Sequence, residues 1–170
     1  MHLSSLLTKT WLIGILLGFG TTQVNAVAEL GDKAPNFSAK TLAGQPVSLL
    51  HSNMGEKPVL LIFWATWCPN CKREIPDVSD LYKEMGDRLS ILAINIGIND
   101  TADKAGKYKY KHSMKYPVIF DEGSHITNTY KIIGTPTQII VGTNGTIRYR
   151  GIKTPTSAEI KGHWAELTAK

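Results

Sequence analysis

The chain has 170 residues, 42% of them hydrophobic, and a formal net charge of +5. That length is enough for one domain with a proper core, and no internal repeat or low-complexity tract asks for a second. So mild a positive excess says little about partners, and the absence of a recognised binding motif argues against nucleic acid.

Lys9 is the only charge before Glu29, and Trp11 to Phe19 is an uninterrupted apolar stretch. A membrane-spanning helix needs roughly 20 apolar residues, so this stretch fits the core of a signal peptide instead. Val24-Asn25-Ala26 offers cleavage after Ala26, and Ala26-Val27-Ala28 offers it after Ala28. The competing reading is an uncleaved N-terminal anchor, although Gly18, Gly20, Thr21, Thr22, Gln23 and Asn25 dilute the apolar run. Residues 27–170 then form one domain in the periplasm or an equivalent exported compartment, where disulfides persist. Without Lys9 there remain 18 basic residues against 14 acidic ones, a net charge of +4.

Along that domain, residues 31–52 read as an irregular opening followed by a hairpin, with Asn36–Lys40 and Pro46–Leu50 flanking a turn at Ala43-Gly44-Gln45. Val59–Trp64 is a continuous apolar run and predicts a strand covered on both faces. A helix follows to about Met85-Gly86, burying Ile75, Val78, Leu81, Tyr82 and Met85, with Pro76 expected to bend it. Leu89–Ile96 predicts a second buried strand, and Asp100–Lys111 a helix capped by Asp100 or Thr101. Pro117–Phe120 is a short strand, Asp121–Gly123 a turn and Ser124–Tyr130 a short helix. Thr137–Val141 and Thr146–Arg150 form a hairpin in which Asn144-Gly145 supplies the positive φ angles. The terminal helix, Ser157–Thr168, takes Ser157 as its cap and Glu159 as first-turn acid. Strands alternating with helices and closing on an antiparallel hairpin define an α/β fold, a mixed sheet with helices on both faces.

Lys104, Lys107, Lys109, Lys111 and Lys115 crowd one stretch together with Tyr108, Tyr110 and Tyr116. The simple reading is a solvated helix face; the sharper one is a docking surface for an acidic partner.

Chemistry concentrates at Trp67-Cys68-Pro69-Asn70-Cys71-Lys72, whose cysteines are the only two in the chain. A disulfide closed over two residues restrains little of the unfolded chain, so it is a poor staple and a good redox switch. At i and i+3 on the first turn of a helix the two sulfurs lie within bonding reach. The first would sit at the helix N-terminus, where N–H groups favour the thiolate that attacks disulfides. Trp64 suits the core, while Trp67 presents flat apolar area to a partner. Pro69 offers no N–H and stiffens the loop, and Asn70 adds no cation. Lys72 and Arg73 add positive charge that solvent screens. Glu74 either lies on the surface or points inward beneath the dithiol, where it would take the proton of Cys71.

These residues, with Leu61-Ile-Phe-Trp-Ala-Thr66 ahead of them and Gly134-Thr135-Pro136-Thr137 ahead of a late strand, resemble the thioredoxin-like TlpA/ResA/CcmG family of exported thiol–disulfide oxidoreductases. The likeness runs from about Leu30 to Leu167. It implies a thioredoxin fold with an N-terminal hairpin and an inserted strand–helix unit. It implies Cys68 as attacking thiol, Cys71 as resolving thiol, Glu74 as proton acceptor, a cis Pro136 against the dithiol, and Thr135 backbone pairing with a substrate strand. Trp67 and Pro69 complete the substrate-facing surface. The buried aspartate of cytoplasmic thioredoxins is replaced by Ile62. The resemblance further implies a monomeric reductant, kept reduced by a membrane thiol donor, that acts on protein disulfides such as those of apocytochromes c. It needs no cofactor beyond the Cys68–Cys71 disulfide.

Rival readings are a disulfide-forming oxidant and a copper-delivery protein, since Cu(I) accepts two soft thiolates. A structural zinc site wants four ligands, and His51, His112, His125 and His163 are isolated. Lys72 stands where haem attachment would require histidine.

Overall fold

A computed structural model of the protein describes residues 28–49 and 56–169. The export segment expected over residues 1–26 lies outside the described residues, as do Leu50 and His51. Among the described residues no helix is long and apolar enough to cross a membrane.

Strands β1 (Ser38–Lys40) and β2 (Pro46–Ser48) form the expected hairpin, with Ser38 opposite Ser48. Its turn needs a glycine: Gly44 has φ +78° and donates its N–H to the Thr41 carbonyl at 2.8 Å. The apolar run becomes β3 (Val59–Trp64), all six residues buried, at the centre of a five-stranded sheet. β4 (Ser90–Asn95) lies parallel to it on one side, with β5 (Val118–Phe120) parallel beyond. On the other side β6 (Thr137–Val141) runs antiparallel, followed by β7 (Ile147–Gly151). The order β5-β4-β3-β6-β7 is the mixed sheet expected from the sequence.

Both faces of that sheet are covered. Helix α1 (Pro69–Met85) buries Val78, Leu81 and Met85, while Ile75 and Tyr82 stay half-buried against the core. Ile62 and Trp64 of β3 lie on this face. Phe63 points the other way and meets the ring of Tyr130 at 5.6 Å, with Phe37 edge-on beyond it at 6.3 Å. The Tyr130 hydroxyl donates to the Pro35 carbonyl at 2.6 Å, and burial pushes its phenol well above the usual range. Helix α2 (Ala102–Lys111) starts one residue after its cap, Thr101, whose hydroxyl accepts from the Lys104 N–H at 3.2 Å. A 3-10 turn at Glu122–Ser124 leads into α3 (His125–Thr129). Buried Asp121 holds the start of α3 by accepting the N–H groups of Ile126 and Thr127 and the Thr127 hydroxyl.

The C-terminal helix departs from expectation in two ways. It divides into α4 (Ser157–Gly162) and α5 (Trp164–Leu167), and the cap is Thr156 rather than Ser157. Thr156 and Glu159 form a reciprocal capping box, in which the acid stands three positions after the cap with two residues between; Ser157 is one residue too close. α4 is tied to α1 by an exposed Lys161–Glu84 pair at 2.6 Å.

The opening segment is irregular but pinned at both sheet borders. Gly31 donates to the Ile147 carbonyl and Ile147 to Asp32, while Leu42 donates to Val118 beside the Thr41–Ile119 bridge. These bonds cover part of each outer edge, at Ile147 of β7 and at Val118–Ile119 of β5.

The loop after β4 depends on Gly97, which has φ +71°; a Cβ there would fall 2.2 Å from the Asp121 carbonyl oxygen. Gly97→Ala is therefore expected to destabilise the protein by about 3 kcal/mol, combining left-handed strain with a backbone clash. Urea unfolding measures it, and an unshifted midpoint would contradict the assignment.

Candidate active site

The end of β3 delivers the chain into a tight turn in which the Cys68 N–H donates to the Ala65 carbonyl at 3.2 Å. Cys68, in extended conformation at φ −87° and ψ 109°, is the N-cap of α1. Its carbonyl accepts from Lys72 N–H, and its sulfur accepts from Cys71 N–H at 3.1 Å. Pro69 at the first helical position suits this start, since an N–H there would have no partner in the helix. Cys68 and Cys71 are joined by a disulfide with Cα atoms 5.3 Å apart, and each is almost fully buried. A sulfur carried at an N-cap faces free N–H groups and the positive end of the helix dipole. That environment stabilises a thiolate once the disulfide opens. Lys72 and Arg73 are exposed, and Arg73 bonds the side-chain oxygen of Asn70.

The two tryptophans take the places expected of them. Trp64 is buried with its ring 5.4 Å from Tyr108. Trp67 is half-exposed, and its indole N–H donates to the Ile98 carbonyl at 2.8 Å. The loop between them is held by Asp100, which accepts from the Thr66 N–H at 2.9 Å, the Thr66 hydroxyl at 3.0 Å and the buried Asn95 amide at 2.8 Å. Sequence reading offered Asp100 only as a helix cap, because nothing local links it to a residue 34 positions earlier.

Glu74 points inward. One of its oxygens accepts from the Thr154 N–H at 2.6 Å and from the Gln138 amide at 3.3 Å. Gln138 is fully buried on β6, directly opposite Ile62, and also donates to the Thr154 hydroxyl at 2.8 Å. Its own carbonyl oxygen has no hydrogen-bond partner among the described residues. Neither Gln138 nor Thr154 was singled out from sequence; the only available signal was a polar residue in the apolar strand Thr137–Val141.

Glu74 lines a cavity of about 20 Å³ together with Cys71, Ile62, Val78 and Pro136, a space large enough for one water molecule. The Thr135–Pro136 bond is cis, with Pro136 buried and Thr135 half-buried beside it. The structure thus brings Cys71, Glu74 and Pro136 around one cavity, with Cys68 bonded to Cys71 at its rim and Trp67 on the outer surface. Among the described residues no group of three or more His, Cys, Asp and Glu side chains is placed to hold a metal ion.

A dithiol at the start of the helix after the central strand, facing a cis-proline, belongs to the thioredoxin-like class of thiol–disulfide oxidoreductases. Within that class the chain belongs to the AhpC/TSA family, whose profile matches residues 30–150. It is 33% identical to the thioredoxin-like protein YneN of Bacillus subtilis, over 90% of this chain and 95% of that one. It is 28% identical to the thiol-disulfide oxidoreductase ResA of Bacillus thuringiensis, over 96% of this chain and 92% of that one. The crystal structure of StoA from Bacillus subtilis superposes with a TM-score of 0.66 at 24% identity, covering 76% of this chain and 96% of that one, and so shares the fold.

Proposed function

We propose that the protein is an exported reductant of disulfides in selected partner proteins, apocytochromes c among them. The observation that carries this reading is the Cys68 sulfur at the N-cap of α1 with Glu74 turned inward to the cavity that Cys71 lines. In the reduced protein the Cys68 thiolate attacks one sulfur of the partner's disulfide and expels the other, forming a mixed disulfide. Cys71 then gives its proton to Glu74 and attacks the Cys68 sulfur. The Cys68–Cys71 bond forms, the partner leaves as a dithiol, and two electrons have moved to it. Pro136 and the backbone of Thr135 support the partner's strand, and Trp67 and Pro69 present apolar surface to it. The disulfide is itself the redox group, so no cofactor is called for. A membrane thiol donor restores the dithiol of this monomeric domain, which the N-terminal segment delivers to the periplasm either free or anchored.

Neutral Asn70 between the cysteines favours a reducing potential, because it gives the thiolate no extra cationic support. The potential is expected nearer that of thioredoxin, about −270 mV, than that of DsbA, about −120 mV. Equilibration with glutathione measures it, and a value at the DsbA end would make the protein an oxidant. Cys71→Ser should accumulate a mixed disulfide through Cys68 on exposure to a disulfide-bonded partner, visible as a band shift that dithiothreitol reverses. Cys68→Ser should accumulate little. Equal trapping by both variants would remove the division of roles. Glu74→Gln should slow release of the mixed disulfide by on the order of a hundredfold and change its pH–rate profile. A profile superimposable on that of the unmodified protein would leave Glu74 without a part in proton transfer.

A further inference from the structure

Helix α2 carries Lys104, Lys107, Tyr108 and Lys111 at spacings of three and four, hence on one face. With Thr66 these side chains line an open groove of about 330 Å³. Lys72, on the first turn of α1, reaches the same region: His112 is held below its usual range first by burial, then by the charges of Lys72 and Lys111. Of these four lysines, Lys72, Lys104 and Lys111 form no ion pair among the described residues, and Lys107 meets the carboxylate of Asp103 at 2.8 Å.

Part of this arrangement works against the helix that bears it, although Asp103 in the first turn and Lys111 in the last suit its dipole. Like charges three and four residues apart repel, and Lys104 sits in the first turn, where the dipole disfavours a cation. Not every lysine of the stretch shares the face. Lys109 turns away, half-buried, to donate to the carbonyls of Met114 and Tyr116, and Tyr116 is buried. The basic stretch is thus sorted into one structural lysine, an aligned charged row of three, and exposed Lys115 beyond the helix.

The row is fixed to the dithiol. Thr66, which forms one wall of the groove, stands two residues before Cys68 and is bonded through its N–H and hydroxyl to Asp100, at the start of α2. The floor is Tyr108, backed by buried Trp64. Next to Thr66 in the chain, and directly before Cys68, Trp67 is half-exposed and its indole N–H is bonded to the carbonyl of exposed Ile98, which puts apolar surface beside the basic residues.

We infer, on the basis of the exchange reaction proposed above, that this groove docks an acidic segment flanking the reactive cysteine of the partner protein. Charge complementarity selects that occupant: an extended chain with Asp or Glu near its cysteine would lay its carboxylates along Lys104, Lys107 and Lys111 while its sulfur reaches Cys68. Such pairs at an exposed surface act chiefly on the rate of encounter and are screened over about 8–10 Å at physiological salt.

The test uses the full chain, reduced, and two disulfide-bonded peptides identical except that acidic residues in one are replaced by lysines in the other. At low ionic strength the acidic peptide should be reduced at least about tenfold faster, with the ratio falling towards one in 0.5 M salt. K104Q/K111Q should bring the low-salt ratio close to one, and K104E/K111E should invert it. Equal rates with both peptides, or a preference that both double variants retain, would overturn the docking surface while leaving the exchange reaction standing. Failure to reduce either peptide would remove the exchange reaction and this surface with it. Binding to phosphatidylglycerol vesicles that is lost in K104Q/K111Q, without discrimination between the peptides, would assign the face to a membrane and also overturn it.

Discussion

The structure turns on where α1 begins. Three hydrogen bonds set that point: Cys68 N–H to Ala65, Lys72 N–H to Cys68, and Cys71 N–H to the Cys68 sulfur. They can form only because β3 ends one residue before Ala65, in the middle of a sheet buried on both sides. A one-residue slip of β3 would exchange its two faces and carry Trp64 away from Tyr108. The cysteine pair therefore takes its position from the fully buried central strand.

The charges around the dithiol are divided between inside and outside. Glu74 is held within by two uncharged donors, the Gln138 amide and the Thr154 N–H. Lys72 and Arg73, on the same turn of α1, are exposed. Neutral donors fix the direction of that carboxylate without placing a second charge beside it. The outer cations face solvent, where salt screens them.

Much of this was legible in the sequence because it depends on local pattern. The run Val59–Trp64 has no polar interruption, the Asn144-Gly145 turn carries its own signal although only Gly145 takes the positive φ expected of both, and Cys68 with Cys71 brings its geometry in its spacing. What escaped depends on distance or on register. Thr156 and Ser157 are both good caps, and only the spacing to Glu159 separates them. Lys109 looked like its neighbouring lysines until the chain turned back to place two carbonyls within its reach. Gln138, Thr154 and Asp100 owe their roles to partners 64, 80 and 34 residues away, and a single polar side chain has no periodicity to betray such a partner. Sequence spacing placed Glu74 on the face of Cys71; what fixes its carboxylate there was invisible.

The pinned opening segment has a consequence for how the molecule is made. Residues 31–34 are bonded to residues 145–147, so the portion synthesised early can reach its final place only when one of the last strands exists. Closure of the sheet borders is then a late event, bridging more than a hundred residues, and the half-built chain keeps its flanks open until then. A chain wired in this way gains little from folding as it emerges from the ribosome, and delivery to another compartment before it has folded comes at small cost.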